Sequence, residues 1–590
     1  MSTDIPRPEH PDPQRMRSDW VNLNGPWQFE IDAGRNGLAS GWSDRDPLAG
    51  RITVPFCPES RLSGVGSVDF MPAVWYRRAF DIPTPWRGRR VRLHFGAVDF
   101  DARVWVNGRF VGRHVGGYAP FCFDITSVAK VGGGNTVVVY VEDDPRTGHQ
   151  PAGKQSTRQG SYGCHYTRVT GIWQTVWLEA VGSTFIRHHV IAGDPVSGLV
   201  DMAIETDGPT AGLRLRAEIQ TSGPPVVAER ALTGLLTHCQ LTIPDAIPWG
   251  PGNPHLYDVT LSIIDDAGQA VDALTTYVGL RRFEVEGRRL MLNGRTLFLR
   301  TVLDQGYYPD GIYTAPSDDA LRADVQRSLD VGFNGARLHQ KVFEPRFLYW
   351  ADRLGYLVTG EYGDWGMDFG PTAAHDAMMG EWPEIVRRDV NHPSLIMWTP
   401  FNETSSRVRP FKEAHDALLR NVFWLTKAID PARPVIDTSG YCHVVTDVYD
   451  VHNYDQDTSS FAARFGTFDG TAGAAFRNVP NEDCDYIDGQ PYFVSEYGGI
   501  WWDPSALGGE QGWGYGDRPK SEREYIDRYR ALTDVLLNNP HICAFCYTQL
   551  YDIEQEVNGI YTYDRQPKFD PSLMDEIRKI NQQPAAIEQA

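Results

Sequence analysis

Eight short apolar runs recur through the second half of this 590-residue chain, separated by stretches with helical periodicity. They begin within Arg289-Leu-Met-Leu-Asn-Gly-Arg-Thr-Leu-Phe-Leu-Arg-Thr. They continue at Gly335-Ala-Arg-Leu-His, Tyr356-Leu-Val-Thr-Gly, Leu395 to Trp398, Pro434-Val-Ile-Asp, Asp447-Val-Tyr-Asp-Val-His, Tyr492-Phe-Val-Ser and Ile542-Cys-Ala-Phe. Runs of this length, bounded by turn residues, fit strands buried on both faces of a parallel sheet. The intervening stretches carry helix signals. Ser317 can cap a helix whose first turn holds Asp318 and Asp319, and Leu321, Val325 and Leu329 fall on one face. The repeat predicts a (β/α)8 TIM barrel over residues 281–590.

The first half has a different period. Val91-Arg-Leu-His-Phe alternates, and Ala102-Arg-Val-Trp-Val-Asn107-Gly108-Arg-Phe-Val places an Asn-Gly hairpin turn between two strands. Residues 19–181 therefore read as a β-sandwich. Residues 182–280, with Leu213-Arg-Leu-Arg-Ala-Glu-Ile and Tyr257-Asp-Val-Thr-Leu-Ser-Ile alternating, read as a smaller, immunoglobulin-like one. Residues 1–18 are Pro-rich and acidic at their start and lack an apolar signal core, so a disordered N-terminal tail and a cytoplasmic chain are expected. Inside the first sandwich a long polar segment, Asp144 to Thr170, interrupts the strands. A segment of that length in a compact domain is usually functional or disordered, and Tyr162, His165 and Arg168 favour function.

A formal charge of −20 disfavours nucleic acid and anionic membranes as partners. No apolar run is long enough to span a bilayer. The eight cysteines lack paired spacing, and Cys543-Ala-Phe-Cys546 falls in a buried strand, so free thiols are expected. No ligand cluster with His-x-His or His-Glu-x-x-His spacing occurs, and neither a catalytic metal nor another cofactor is expected.

Glu403 ends the fourth apolar run, and carboxylates at the ends of buried strands tend to be functional or tightly paired. The other Asn-Glu pair, Asn481-Glu482, sits in a polar run with no strand feeding it and reads as a solvated loop. Glu496 ends the seventh run, 93 residues after Glu403. That is about three repeats of roughly 31 residues in a barrel of about 250. Two carboxylates flanking one site are what glycosidic bond cleavage needs. Glu403 would be the general acid/base, its pKa raised by burial and by the second carboxylate. Glu496 would be the nucleophile, kept ionised by Arg337. Other strand ends add Asp304 and Gln305, Glu361, Asp364 and Trp365, His339, Gln549 and Trp501. His165 would reach over the barrel mouth with Arg168. Trp398 reads as core.

The chain resembles glycoside hydrolase family 2 over nearly its whole length. The resemblance rests on Trp20-Val-Asn-Leu-Asn-Gly-Pro-Trp-Gln-Phe, Val104-Trp-Val-Asn-Gly, Gly171-Ile-Trp-Gln-Thr-Val-Trp, Asn334-Gly-Ala-Arg337-Leu-His339, Asp352-Arg-Leu-Gly-Tyr-Leu-Val, Phe401-Asn402-Glu403 and Ser495-Glu496-Tyr-Gly-Gly. It implies a jelly-roll sugar-binding sandwich, an immunoglobulin-like sandwich and a catalytic barrel. It also implies a retaining double displacement, with Asn402 on the hydroxyl next to the reacting carbon. Tyr454, in Asp450-Val-His452-Asn-Tyr454, would donate to the nucleophile, and His452 joins the substrate-binding candidates. Family precedent implies a dimer or higher oligomer. At the eighth run, Tyr547 and Gln549 stand where related barrels often have Trp.

The partner is then an oligosaccharide or glycoside. The glucuronidases of the family carry an Asn-x-Lys clamp, which this sequence lacks, so a neutral terminal sugar is expected. A β-galactoside comes first, followed by a β-galactofuranoside or α-L-arabinofuranoside, then a β-mannoside. A carbohydrate-binding protein without turnover is the alternative from another class; keeping both Glu403 and Glu496 argues against it.

Overall fold

The computed structural model describes residues 5–370, 373–404, 411–479, 484–503 and 512–589. The Asn481-Glu482 pair lies outside the described residues. The first domain packs a four-stranded sheet (Trp20–Asn22, Val176–Val181, Arg90–Phe95, Phe121–Asp124) against a six-stranded one. The latter runs Gly50–Val54, Gly25–Ile31, Ala73–Phe80, Asn135–Glu142, Asp101–Val106, Arg109–Val115. Alternation along Arg90–Phe95 and Asp101–Val106 sends Val91, Leu93, Phe95, Ala102, Val104 and Val106 inward to one core. Asn107 and Gly108 turn the last hairpin with φ of 51° and 73°, the left-handed pair that a two-residue hairpin needs.

The second domain is a smaller sandwich. Phe185–Gly193, Leu199–Asp207 and Leu236–Thr242 form one sheet, and Val226–Ala231, Arg214–Ile219, Tyr257–Ile264 and Ala270–Val278 the other. The two enclose Ile204, Leu215, Leu261 and their neighbours.

The barrel strands are β1 (Leu299–Asp304), β2 (Gly335–Leu338), β3 (Leu357–Glu361), β4 (Leu395–Thr399), β5 (Tyr449–Asn453), β6 (Tyr492–Gly498) and β7 (Ala544–Thr548). They pair in parallel in the order β4-β3-β2-β1-β7-β6-β5. The run Pro434 to Asp437 was expected as a full strand. It contributes instead a single parallel bridge, Trp398↔Val435, with a second at Asn402↔Ser439, between β4 and β5. Pro434 cannot donate to a ladder, and the Asp437 carboxylate accepts from the Val444 and Val445 amides at 2.6 and 2.9 Å, so side-chain bonds replace the ladder there. Cys543 and Cys546 are buried, and burial pushes both thiols up to about 12. No helix among the described residues is long and apolar enough to cross a membrane.

The N-terminal segment departs from the expected disordered tail. From Ile5 on it lies along the molecule. Arg7, 4% exposed, donates to Glu344 Oε1 at 3.1 Å, to Glu344 Oε2 at 2.6 Å and to the Ala315 carbonyl at 3.2 Å. Met16 and Thr275 exchange backbone bonds with the second domain at 3.0 and 2.8 Å. Proline-rich composition measures the absence of a local core, and this segment borrows one from two domains. Arg7→Ala leaves the largely buried Glu344 uncompensated and is expected to cost about 3 kcal/mol, read as a lowered urea midpoint; an unchanged midpoint would show that the contact carries no stability.

Candidate active site

Several strand ends converge on one buried cation. Arg337, on β2, donates through Nε to Glu361 Oε2 (2.7 Å), through Nη1 to Glu496 Oε1 (2.8 Å) and through Nη2 to Asn402 Oδ1 (2.6 Å). Burial alone would pull its pKa down, but the charges of Glu361 and Glu496 raise it, so the guanidinium stays charged. The rigid fork reaches three acceptors from three separate nitrogens, a spread that the single nitrogen of a lysine lacks. Glu361, at the end of β3, is held somewhat above the ordinary carboxylate value because burial outweighs Arg337. Its Oε1 accepts from the Gln340 amide at 3.0 Å and lies 2.9 Å from His339 Nδ1 without hydrogen-bond alignment. Burial, then the charge of Lys154, drive His339 well below its usual value, so its imidazole is neutral.

The two candidate acids face each other across His452. One donor atom from each of Glu403, His452 and Glu496 lies within 4.8 Å of the others. His452 Nδ1 is 2.8 Å from Glu403 Oε1 and 3.4 Å from Glu496 Oε2. These are metal-ligand types and could hold a cation, but Arg337 already supplies positive charge to Glu496. The Tyr454 hydroxyl donates to Glu496 Oε2, and its ring stacks on Tyr515 at 3.5 Å. Glu403 sits at φ 50°, a strained conformation for a non-glycine residue of the kind that clusters at active sites, and its amide donates to the Ser439 carbonyl at 2.9 Å.

The protonation balance differs from the expectation that Glu403 is raised. Burial does push Glu403 up. The hydrogen bond and charge of His452, followed by the charges of Lys154 and Arg337, together hold it below the ordinary value. His452 moves the other way: burial lowers it, but Glu496 and Glu403 lift it above the usual imidazole value. The ring then donates from Nδ1 to Glu403, and its Nε2 lies 3.0 Å from Ser439 Oγ, whose own hydroxyl donates to Asp450. If Glu403 must be protonated to act, a lowered pKa brings the alkaline limb of kcat/KM down. His452→Asn is expected to let Glu403 rise and to move that limb to higher pH, checked by a pH–rate profile. An unmoved limb would remove His452 from the control of Glu403.

Most of the remaining candidates are brought together. Asp364, raised well above its usual value by burial, accepts from the Asn402 amide at 3.0 Å and from Gln340. Trp365 Nε1 donates to the Asn402 carbonyl at 3.1 Å. Gln305 donates to Gln549 Oε1 at 2.7 Å and Gln549 to Asn558 at 2.9 Å. His165 stacks on Tyr162 at 4.9 Å and lies tilted against Trp365 at 5.5 Å, and burial, then Lys154, lower it to about 4. Three candidates stay apart. Asp304 accepts from the Gly306 amide at 2.9 Å and faces Asp324 and Arg565. Trp501 makes no hydrogen bond to the cluster among the described residues. Arg168 turns away from the mouth, bonding the Ser156 and Val68 carbonyls and covering Phe70. Its charge finds carbonyls in its own domain, so it has no need of the barrel. Trp398 is core as expected, with its Nε1 on Asp430 at 2.8 Å, and Tyr547 is buried against Tyr525, their hydroxyls 2.7 Å apart.

Lys154, Tyr166 and Glu556 were not singled out as site residues from sequence. The segment 144–170 lies over the barrel as a strap: the Ala152 amide donates to the Trp365 carbonyl at 2.7 Å, and the Tyr166 hydroxyl to Glu556 Oε2 at 2.5 Å. The length and aromatic content of the segment signalled function, but a single Lys in a polar loop carries no periodicity that marks it.

Two sandwiches followed by a barrel with paired carboxylates at its strand ends define a retaining glycoside hydrolase. The chain belongs to glycoside hydrolase family 2: the family's sugar binding domain matches residues 20–178, its following domain residues 191–281 and its TIM barrel domain residues 283–582. A β-glucuronidase of Paenibacillus borealis is 26% identical over 93% of this chain and 94% of its own. A β-galactosidase of Thermoanaerobacter pseudethanolicus is 27% identical over 62% of this chain and 48% of its own. The solved β-glucuronidase of Lactobacillus rhamnosus shares the fold, with a TM-score of 0.78 at 21% identity over 99% of this chain and 100% of that one.

Proposed function

We propose that Glu403 is the acid/base and Glu496 the nucleophile of an exo-acting double displacement on a neutral terminal sugar, a β-galactoside first. The observation that carries the pairing is that one oxygen of each carboxylate comes within 4.8 Å of the other, with His452 between them. Retaining enzymes hold their carboxyl groups about 5–5.5 Å apart, whereas inverting ones need about 6.5–9.5 Å to admit a water. In the first step Glu496 attacks the anomeric carbon, the bond to the leaving oxygen breaks, and Glu403 gives that oxygen its proton. In the second, Glu403 takes a proton from water as the water oxygen displaces Glu496. Arg337 and Tyr454 hold the Glu496 carboxylate in place between turnovers. Asn402 Nδ2 is buried without a partner while its Oδ1 is fixed by Arg337, which leaves a donor for a sugar hydroxyl.

Neutrality is supported by Glu556, buried at the mouth, with Asn558 donating to it and Gln549 and Gln305 following in the same hydrogen-bonded chain. A carboxylate and amides read hydroxyls, and the carboxylate would repel a uronate. A β-glucuronide is the second reading, favoured by the relatives of that name and by the ammonium of Lys154, which has no partner among the described residues. Nitrophenyl glycosides of β-galactose, β-galactofuranose, α-L-arabinofuranose, β-mannose and β-glucuronic acid decide between them. Release from a neutral glycoside is expected. Release from the glucuronide alone would overturn the neutral reading, and binding without release by any would return the chain to a carbohydrate-binding role.

A further inference from the structure

The strap carries a cation that the proposed chemistry leaves unused. Lys154 is 6% exposed and its ammonium makes no hydrogen bond or ion pair with a described residue, in a chain whose net charge is −20. The side chain is largely buried while its ammonium has no partner among the described residues, so it remains available to a ligand at the mouth. Its position is fixed from both domains. The amides of Ala152 and Gly153 donate to the carbonyls of Trp365 and Gly363 at 2.7 and 3.0 Å, and Lys154 Nζ lies 3.5 Å from the centre of the Trp365 ring. The Lys154 carbonyl accepts from the Tyr166 amide at 2.7 Å. Tyr166 in turn donates its hydroxyl to Glu556 Oε2, while Asn558 donates to Glu556 Oε1 at 2.9 Å.

Lys154 and Glu556 are thus set beside each other by Tyr166. The charge of Lys154 acts on Glu556 and on Glu403, yet the two side chains form no ion pair. An ammonium and a carboxylate at one mouth, held apart by their own supports, suit a polyhydroxylated ligand between them. The ammonium donates to a hydroxyl oxygen, and the carboxylate accepts a hydroxyl hydrogen. Gln305 Oε1, buried and without a partner beside Tyr166, adds an acceptor to the same wall.

We propose that Lys154 and Glu556 form a cross-domain pair that reads the hydroxyls of the terminal sugar and so sets which sugar the barrel accepts. The pair deepens the neutral-sugar reading above and rests on it. It also gives the first domain a direct part in specificity, since Lys154 belongs to the strap and Glu556 to the loop after β7. Neither residue touches the bond that breaks, so their loss should weaken recognition while leaving the retaining chemistry intact.

The test uses the full chain, Lys154→Met and Glu556→Gln, and the nitrophenyl glycoside that the wild type hydrolyses fastest, with its 2-, 3-, 4- and 6-deoxy analogues. Each variant is expected to lose about 10- to 100-fold in kcat/KM on the parent glycoside, the size of a hydrogen bond to a charged group. On one deoxy analogue that loss should shrink to about threefold or less, because the hydroxyl read by the pair is already gone. A general distortion of the strap would instead give the same loss on every analogue, and that result overturns the proposal. Parent activity unchanged in both variants also overturns it. If the wild type hydrolyses only the glucuronide, the neutral-sugar reading fails by itself. In that case a loss of glucuronide activity in Lys154→Met that the charge-keeping Lys154→Arg does not share would show the cation reading a carboxylate.

Discussion

Glu496→Gln is expected to reduce kcat by about 10^4-fold or more, the scale seen when a covalent nucleophile is removed. The amide keeps the size of the side chain and can still take a hydrogen bond from Arg337, so the fold should survive and the loss should report chemistry. The complementary variant, Glu403→Ala, should behave differently with substrate. A nitrophenolate leaving group needs little protonation, so its release in the first turnover should remain fast while hydrolysis of the glycosyl ester slows. Added azide, which needs no general base, should then speed turnover and yield a glycosyl azide of retained configuration. If Glu496→Gln keeps a tenth of the wild-type rate, the nucleophile lies elsewhere. If azide does nothing for Glu403→Ala, Glu403 is not the base of the second step.

The second large effect concerns stability as much as catalysis. Arg337→Met leaves two carboxylates, Glu361 and Glu496, buried without their shared cation; their side chains are 0% and 6% exposed. Breaking a buried pair in this way costs about 3–5 kcal/mol. Part of that cost is relieved because Glu361, already above its ordinary value, can bind a proton. The variant should therefore unfold at a lower urea midpoint, and the shortfall should narrow as the pH is lowered toward the range where Glu361 is neutral. Catalysis should fall as well, since Glu496 loses a donor and Asn402 its anchor. Arg337→Lys restores charge but not the three-way fork, and should recover more stability than activity. A midpoint for Arg337→Met equal to that of the wild type would mean that the cluster is not held by this charge.

The barrel was legible because parallel strands buried on both faces must be short, apolar and bounded, and β4 and β6 each deliver a carboxylate to the same end. The spacing of Glu403 and Glu496 followed from the repeat length. What escaped the sequence was a set of particular contacts between domains. Arg7 looked like part of a disordered tail because its partners, Glu344 and the Ala315 carbonyl, lie more than three hundred residues away. Tyr166, whose amide bonds the Lys154 carbonyl, reaches Glu556 across 390 residues of chain, and no local pattern encodes such a pairing. The fifth strand was overread because apolar content was visible in Pro434 to Asp437, whereas the side-chain bonds of Asp437 were not. The protonation of Glu403 was misjudged for a related reason. Burial and the second carboxylate could be anticipated, but the hydrogen bond and charge of His452, which outweigh burial only together with the charges of Lys154 and Arg337, depend on a ring brought in by β5.

The stereochemistry of the first product tests the central claim most directly. Proton NMR of the anomeric signals in the first minutes of hydrolysis, before mutarotation, should show the released sugar with the same anomeric configuration as the substrate. That is the outcome required by two successive displacements between carboxylates as close as Glu403 and Glu496. Initial appearance of the opposite anomer would mean a single displacement by water, and would contradict the assignment of Glu496 as a nucleophile.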